Sequence, residues 1–265
     1  MKTGQRQSDS RVHYFVPDPS LYPVILSGGM LLLALGFIQI LNAFPLGKWV
    51  MLGGFVIIVY VLFGWFGRVI SESQSGAYRD WEDLSFRYGM IWFIATEVMF
   101  FAAFFGALFY MRIISVPVLG GMESAHGTTL WPGFTGDWPT SGPKGAEFTP
   151  MGAWGIPAIN TALLLSSGAT VTWAHWGLLR NKRIQLVLGL GATVVLGILF
   201  LGFQAYEYHH AYTEMGLTLG AGVYGATFFM LTGFHGFHVM VGTTMLIVML
   251  LRSIAGHFTA DHHFA

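Results

Sequence analysis

The chain has 265 residues, of which 54% are hydrophobic and only 10% are charged, whereas charged residues make up about 25% of a soluble domain. This composition, with a mean hydropathy of +0.60, indicates a membrane protein. A formal net charge of zero gives no reason to expect binding of nucleic acid. The chain has no cysteine, which excludes disulfides, thiolate zinc sites, iron–sulfur clusters and covalently attached haem.

Six segments in chain order are long and apolar enough to span a membrane, which takes about 20 residues in a helix. The first follows a polar stretch of about 20 residues, so we expect it to be retained rather than cleaved as a signal peptide. Tryptophans and tyrosines lie near many segment ends, as is typical of membrane interfaces. The sequence therefore predicts an all-α, polytopic membrane helix bundle with spans at roughly 21–43, 50–70, 88–112, 154–177, 184–208 and 222–251.

The basic residues predict the orientation of these spans. Ten of them fall on one side: Lys2, Arg6, Arg11, Arg68, Arg79, Arg87, Arg180, Lys182, Arg183 and Arg252. Three fall on the other side: Lys48, Arg112 and Lys144. Because basic residues concentrate on the inner side, we expect the N-terminus in the cytoplasm or in the matrix of an organelle.

The connections predict two domains. Residues 1–75 would form an N-terminal tail and a two-helix bundle, and residues 76–265 the main helix bundle. The only long connection, at about 113–151, is rich in proline and glycine, so we expect an irregular loop on the outer side.

Glu97 is the single carboxylate in the apolar run "WFIATEVMFFAAFF" of the third span. An ionised carboxylate is costly in hydrocarbon, so we expect Glu97 to be neutral and to have a role. It would handle protons or contact lipid, or it would hydrogen-bond to a neighbouring helix.

Histidines and a second glutamate are the other ionisable groups in or near the spans. His235 and His238, three residues apart, share one helix face and could ligate a metal or a haem. We favour hydrogen bonds to other helices for both. His175 and Glu207 lie near span ends, where polar groups anchor a helix at the interface. We therefore predict structural roles for these four residues, and neither a catalytic set nor a metal site.

These residues leave three classes of protein open. The chain could be a subunit of a larger membrane complex, a proton-conducting channel or carrier built around Glu97, or a b-type haem protein. A channel would need a chain of protonatable groups across the bilayer, and only Glu97 lies at depth.

Four motifs stand out in chain order: RYGMIWFIATEVMFF (87–101), NTALLLSSGATVTWAH (160–175), LGFQAYEY (201–208) and GVYGATFFMLTGFHGFHVMVGTTMLIV (222–248). Taken together they resemble subunit III of cytochrome c oxidase, in the haem–copper oxidase superfamily. Two additional N-terminal spans are present, as in the cytochrome c oxidases, whereas the related quinol oxidase subunits generally lack that pair. The family continues after "HHF" with a seventh helix, whereas six spans are expected in the given sequence.

The resemblance implies a non-redox subunit of a proton-pumping oxidase in the bacterial cytoplasmic membrane or the mitochondrial inner membrane. Haems and copper would belong to subunits I and II, which pass electrons from cytochrome c to oxygen. Subunit III would pack against subunit I, sustain proton uptake and stabilise the complex during turnover. Its first two helices would splay from the others in a V that holds phospholipid.

The resemblance also assigns residues. Glu97 takes the place of the family's carboxyl in "S-E-V-x-F-F", with Thr96 for the serine, and would face the cleft or subunit I without being catalytic. Trp65, Arg68 and Glu72 fall in the lipid-binding region at the end of the second span. Here the chain departs from the family, because Ser71 stands where the family has an arginine before the glutamate. Arg252 would bind lipid phosphate at the inner end of the sixth span.

Overall fold

The computed structural model describes residues 15–121 and 131–260, and within these residues the chain is helical with no strand. A π-helical turn (Tyr110–Ser115) and a short α-helix (Val116–Leu119) continue the third long helix. The predicted all-α bundle is confirmed. The long helices are α1 (Tyr22–Leu41), α2 (Gly47–Gln74), α3 (Asp80–Phe109), α4 (Ile156–Leu179), α5 (Arg183–Thr213) and α6 (Gly222–Ala255).

Five of these helices are long and apolar enough to cross a membrane: α1, α2, α3 with its extension to Leu119, α5 and α6. The remaining helix, α4, coincides with the predicted span at 154–177 and has 24 residues. It is less apolar because it carries Asn160, His175 and several serines and threonines. The chain is a multi-pass integral membrane protein.

The chain divides into two compact units, Met1–Gly89 and Met90–Ala265. In the first unit α1 and α2 form an antiparallel hairpin, in which Gly29, Gly36 and Gly54 are buried. A Cβ atom added to Gly36 would lie 2.6 Å from the Cα of Met51, so the two backbones touch there. Such small residues let helices approach closely in lipid. The expected domain boundary after residue 75 stays a prediction.

In the second unit α5 packs between α4 and α6. The hydroxyls of Thr170 and Thr193 are hydrogen-bonded at 2.8 Å between α4 and α5. A Cβ on Gly197 of α5 would lie 2.7 Å from Oγ1 of Thr243 on α6. At the other end of α5, a cluster of Ala211, Leu217, Ala221 and Phe229 packs against Phe148 and Met151 of the long connection.

Candidate functional site

Glu97 and His238 form a hydrogen-bonded pair in the second unit. The carboxyl Oε2 of Glu97 lies 2.5 Å from Nε2 of His238. His238 is in the middle of α6, and Glu97 is within about one helical turn of the middle of the helical run 80–119. The side chain of Glu97 is 30% exposed and that of His238 is 32% exposed. The structure thus brings together two polar residues that lie 141 positions apart in the sequence.

The second ring nitrogen of His238 restricts the protonation states of this pair. Nδ1 lies 2.6 Å from the carbonyl oxygen of Phe234, one turn earlier in α6. A carbonyl only accepts, so Nδ1 carries a hydrogen and donates it. Nε2 then has two possible roles. It accepts a hydrogen bond from the protonated Glu97 acid, or it is the N–H of an imidazolium and donates a hydrogen bond to the Glu97 carboxylate. In both states the pair holds one shared proton and has no net charge, which lowers its cost in hydrocarbon.

Aromatic rings surround the pair. The ring centroids of Phe101 and Phe100 lie 5.1 and 5.8 Å from that of His238, and Phe237 lies at 5.9 Å. Phe100 also packs edge-on against Phe234 of α6, at 5.1 Å. Together these rings pack α3 against α6, hold the imidazole of His238 in place and surround the shared proton with apolar groups.

Beside the pair lies an open groove of about 490 Å³ along α3. Glu97 is its only ionisable lining residue, and the others are apolar: Ile94, Val98, Phe101, Ala102 and Phe105. The carboxyl therefore borders an apolar space on one side and its histidine partner on the other.

Two of the predicted lipid-binding residues of the first unit, Arg68 and Glu72, are hydrogen-bonded to each other. Arg68 donates hydrogen bonds to Glu72 (3.1 Å, Nε to Oε1) and to Asp18 (3.3 Å, Nη2 to Oδ2). Tyr78 donates a further bond to Glu72, at 2.7 Å. Burial, and then the neighbouring Glu72 carboxylate, raise the pKa of Tyr78 far above its ordinary value. Trp65 stacks on Tyr22 with the ring centroids 6.1 Å apart.

Arg252, near the end of α6, has fewer partners. Its guanidinium carbon lies 4.5 Å from the ring centroid of Phe258, a cation–π contact. Its buried Nε has no hydrogen-bond partner among the described groups. Close by, a guanidinium nitrogen of Arg183 donates to the carbonyl oxygen of Ile254 and so caps the C-terminus of α6.

The remaining predicted residues are not hydrogen-bonded to the pair. Glu207 is buried at 6% exposure in α5, and His175 lies near the end of α4. The ring of His235 packs edge-on against Phe200, at 5.7 Å. Among the described residues, no cluster of three or more His, Asp or Glu residues could hold a metal ion.

Sequence reasoning did not anticipate that Glu97 and His238 are partners, although it selected both residues. The signal was present, because each residue lies near the middle of its predicted span and so at a similar depth. Two polar groups at one depth in hydrocarbon each need a partner, and pairing them satisfies both.

Six long helices and a half-buried carboxyl–imidazole pair near the middle of two of them define, in the part of the chain that the structure describes, a polytopic membrane protein. The family model for cytochrome c oxidase subunit III matches residues 12–265. The chain belongs to this family and is thus a subunit of a terminal oxidase.

Relatives called cytochrome c oxidase subunit 3 come from plants and fish. The protein of Marchantia polymorpha is 41% identical over 259 residues, which cover 97% of this chain and 89% of the relative. The Arabidopsis thaliana protein is 40% identical over 254 residues (96% and 87%). The Danio rerio protein is 36% identical over 252 residues (95% and 87%).

Proposed function

We propose that the chain is the non-redox subunit III of a proton-pumping oxidase that passes electrons from cytochrome c to oxygen. It packs against subunit I, associates with subunit II through the complex and holds phospholipid. The haems and copper lie in those partner subunits. Its membrane is the bacterial cytoplasmic or the mitochondrial inner membrane, with the N-terminus on the cytoplasmic or matrix side.

The observation that supports this proposal best is the Glu97–His238 pair. Among the described residues the carboxyl is hydrogen-bonded to His238, and its other side borders an apolar groove. A proton-conducting path needs a succession of polar groups, whereas the groove lining beyond Glu97 is apolar. This favours a supporting role, in which the pair joins α3 to α6 and borders bound lipid.

Helices α3 to α6 provide the surface for subunit I in this proposal, and α1 and α2 contact subunit I little. The subunit also holds phospholipid, with phosphate near Arg68, Glu72 or Arg252. By keeping lipid and α3 in place, the subunit sustains proton uptake by subunit I and protects the complex during turnover.

The test compares oxygen consumption of the purified complex in wild type and Glu97→Gln, from the first turnovers through many. Glutamine retains the shape of the side chain and can donate to Nε2 of a neutral His238, but it cannot ionise. We expect normal haem spectra, co-purification of subunits I and II, and an initial rate close to that of wild type. The conservative change Thr96→Ser, on the adjacent residue, is the control.

Loss of activity from the first turnover, with intact haems, would place Glu97 on the proton route that catalysis requires. A haem spectrum belonging to the tagged chain itself, free of subunits I and II, would contradict the non-redox assignment.

A further inference from the structure

Two polar residues outside the Glu97–His238 pair are buried, one on α4 and one on α5. Asn160 of α4 is 4% exposed and Glu207 of α5 is 6% exposed. Neither the Nδ2 nor the Oδ1 atom of Asn160 has a hydrogen-bond partner among the described groups.

Two contacts fix the register of α4 against α5. Thr170 is hydrogen-bonded to Thr193, and a Cβ on Gly189 would lie 2.7 Å from the Cβ of Ala174. The helices are antiparallel, so each step back along α4 corresponds to one step forward along α5. Asn160, ten residues before Thr170, therefore lies level with the residue ten after Thr193, which directly precedes Gln204.

Helical periodicity places the same groups on the interface. Asn160 precedes Ala174 by 14 residues, about four turns, so both lie on the face of α4 that contacts α5. Glu207 follows Thr193 by the same interval and lies on the matching face of α5. Glu207 lies four residues beyond the level of Asn160, about 6 Å along the helix axis, which is a distance that one bridging water can span. Gln204, one turn before Glu207, faces α6 instead, and its side chain reaches Gly236 and the Tyr208 hydroxyl.

Buried polar groups in proteins are almost always hydrogen-bonded, to protein or to ordered water. A buried water needs two to four polar partners, and about three is typical. Asn160 and Glu207 offer donors and acceptors on two helices, about one helical turn apart along the interface. We infer that they form an internal water site within the α4–α5 interface, in which bound water bridges the Asn160 amide to the Glu207 carboxyl.

This inference goes beyond the proposed function, and structure determination of the assembled complex tests it directly. At a resolution that shows ordered water, we expect density within hydrogen-bond distance of both the Asn160 amide and the Glu207 carboxyl. A direct bond from Asn160 to Gln204 or Glu207, or a partner-subunit side chain in that position, would overturn it.

Infrared spectroscopy of the same complex gives an independent readout. The Glu207 carboxyl band is the one lost in Glu207→Gln. We expect Asn160→Leu, which removes one side of the site, to shift this band because the carboxyl loses bridging water. The control Thr161→Val alters the adjacent, exposed residue of α4 and should leave the band in place. A band that Asn160→Leu does not move would overturn the inference. The density of the wild-type complex decides the question if Asn160→Leu fails to assemble.

Discussion

Glu97 and His238 show how two ionisable residues can occupy the middle of a membrane bundle. Alone, each would leave a polar group in an apolar environment. Together they share one proton, and His238 has its remaining hydrogen satisfied by the Phe234 carbonyl. The contribution of each side chain to stability should therefore depend on the presence of the other.

A double-mutant cycle at Glu97 and His238 measures that dependence. Glu97→Ala leaves Nε2 of His238 without its partner, so we expect a loss of about 1–3 kcal/mol, which is typical of an unsatisfied buried group. Glu97→Gln should lose less, because the amide can donate to Nε2. The readout is the denaturant concentration at which subunit III leaves the complex.

Residues in direct contact show coupling of about 0.5–3 kcal/mol. We therefore expect the double variant Glu97→Ala with His238→Ala to lose less stability than the two single losses combined. Strict additivity would mean that the pair contributes nothing to the joining of α3 and α6.

The two arginines predicted to bind lipid differ in their surroundings. Arg68 is already hydrogen-bonded to two carboxylates, from Asp18 and Glu72, so a lipid phosphate would compete with both. Arg252 has a cation–π contact with Phe258 and no ion pair with a carboxylate of the described residues. A lipid phosphate would therefore have less competition at Arg252 than at Arg68.

We expect Arg252→Gln to remove more phospholipid from the gently purified complex than Arg68→Gln does. Phosphorus analysis and mass spectrometry of extracted lipid provide the measurement, with both variants purified in parallel. Greater lipid loss in Arg68→Gln would show that phosphate displaces the carboxylates and that Arg68 is the main contact.

At the scale of the elements, glycines set the spacing of the helix pairs. In the α1–α2 hairpin Gly36 lies directly against the backbone of Met51, whereas a Cβ on Gly28 would meet no atom within 4 Å. Both are interior positions of α1. The same helix therefore offers one glycine required for packing and one that is not.

We expect Gly36→Ala to destabilise the hairpin by about 1–3 kcal/mol, because the added methyl group forces the backbones apart. Gly28→Ala is the matched control and should be neutral or slightly stabilising, since alanine favours helix over glycine. Thermal release of subunit III from the complex, followed by subunit gel, reports both effects. Equal behaviour of the two variants would contradict the close approach at Gly36.

At the scale of the whole molecule, the distribution of basic residues predicts which ends of the helices face the cytoplasm or matrix. This prediction puts the turn between α2 and α3 on the inner side and the connection between α3 and α4 on the outer side. The chain has no cysteine, so single introduced cysteines can report on each side without background from this subunit.

Asp137→Cys, in the connection before α4, should react with a membrane-impermeant maleimide added to the outer side of intact cells or mitoplasts. Ser75→Cys, at the end of α2, should react only after the inner side is opened. Labelling is measured by the mass shift of subunit III. The reverse pattern would invert the predicted orientation.

The sequence by itself determined the membrane class, the positions of the six long helices and the family. These depend on composition, on apolar runs and on motif order, which are local along the chain. It also selected Glu97 and His238, because an ionisable side chain within an apolar run is visible without a structure.

Only the tertiary structure decided which polar groups are partners. The Glu97–His238 hydrogen bond, the Asp18 carboxylate on Arg68 and the pairing of the α4 and α5 faces that carry Asn160 and Glu207 depend on which segments pack together and in what register. In lipid, nearly every span is apolar on all faces, so hydrophobic periodicity does not indicate which face of a helix meets which neighbour. Close contacts at glycines such as Gly36 and Gly197, and hydrogen bonds between helices, fix that choice, and they form only when the helices assemble.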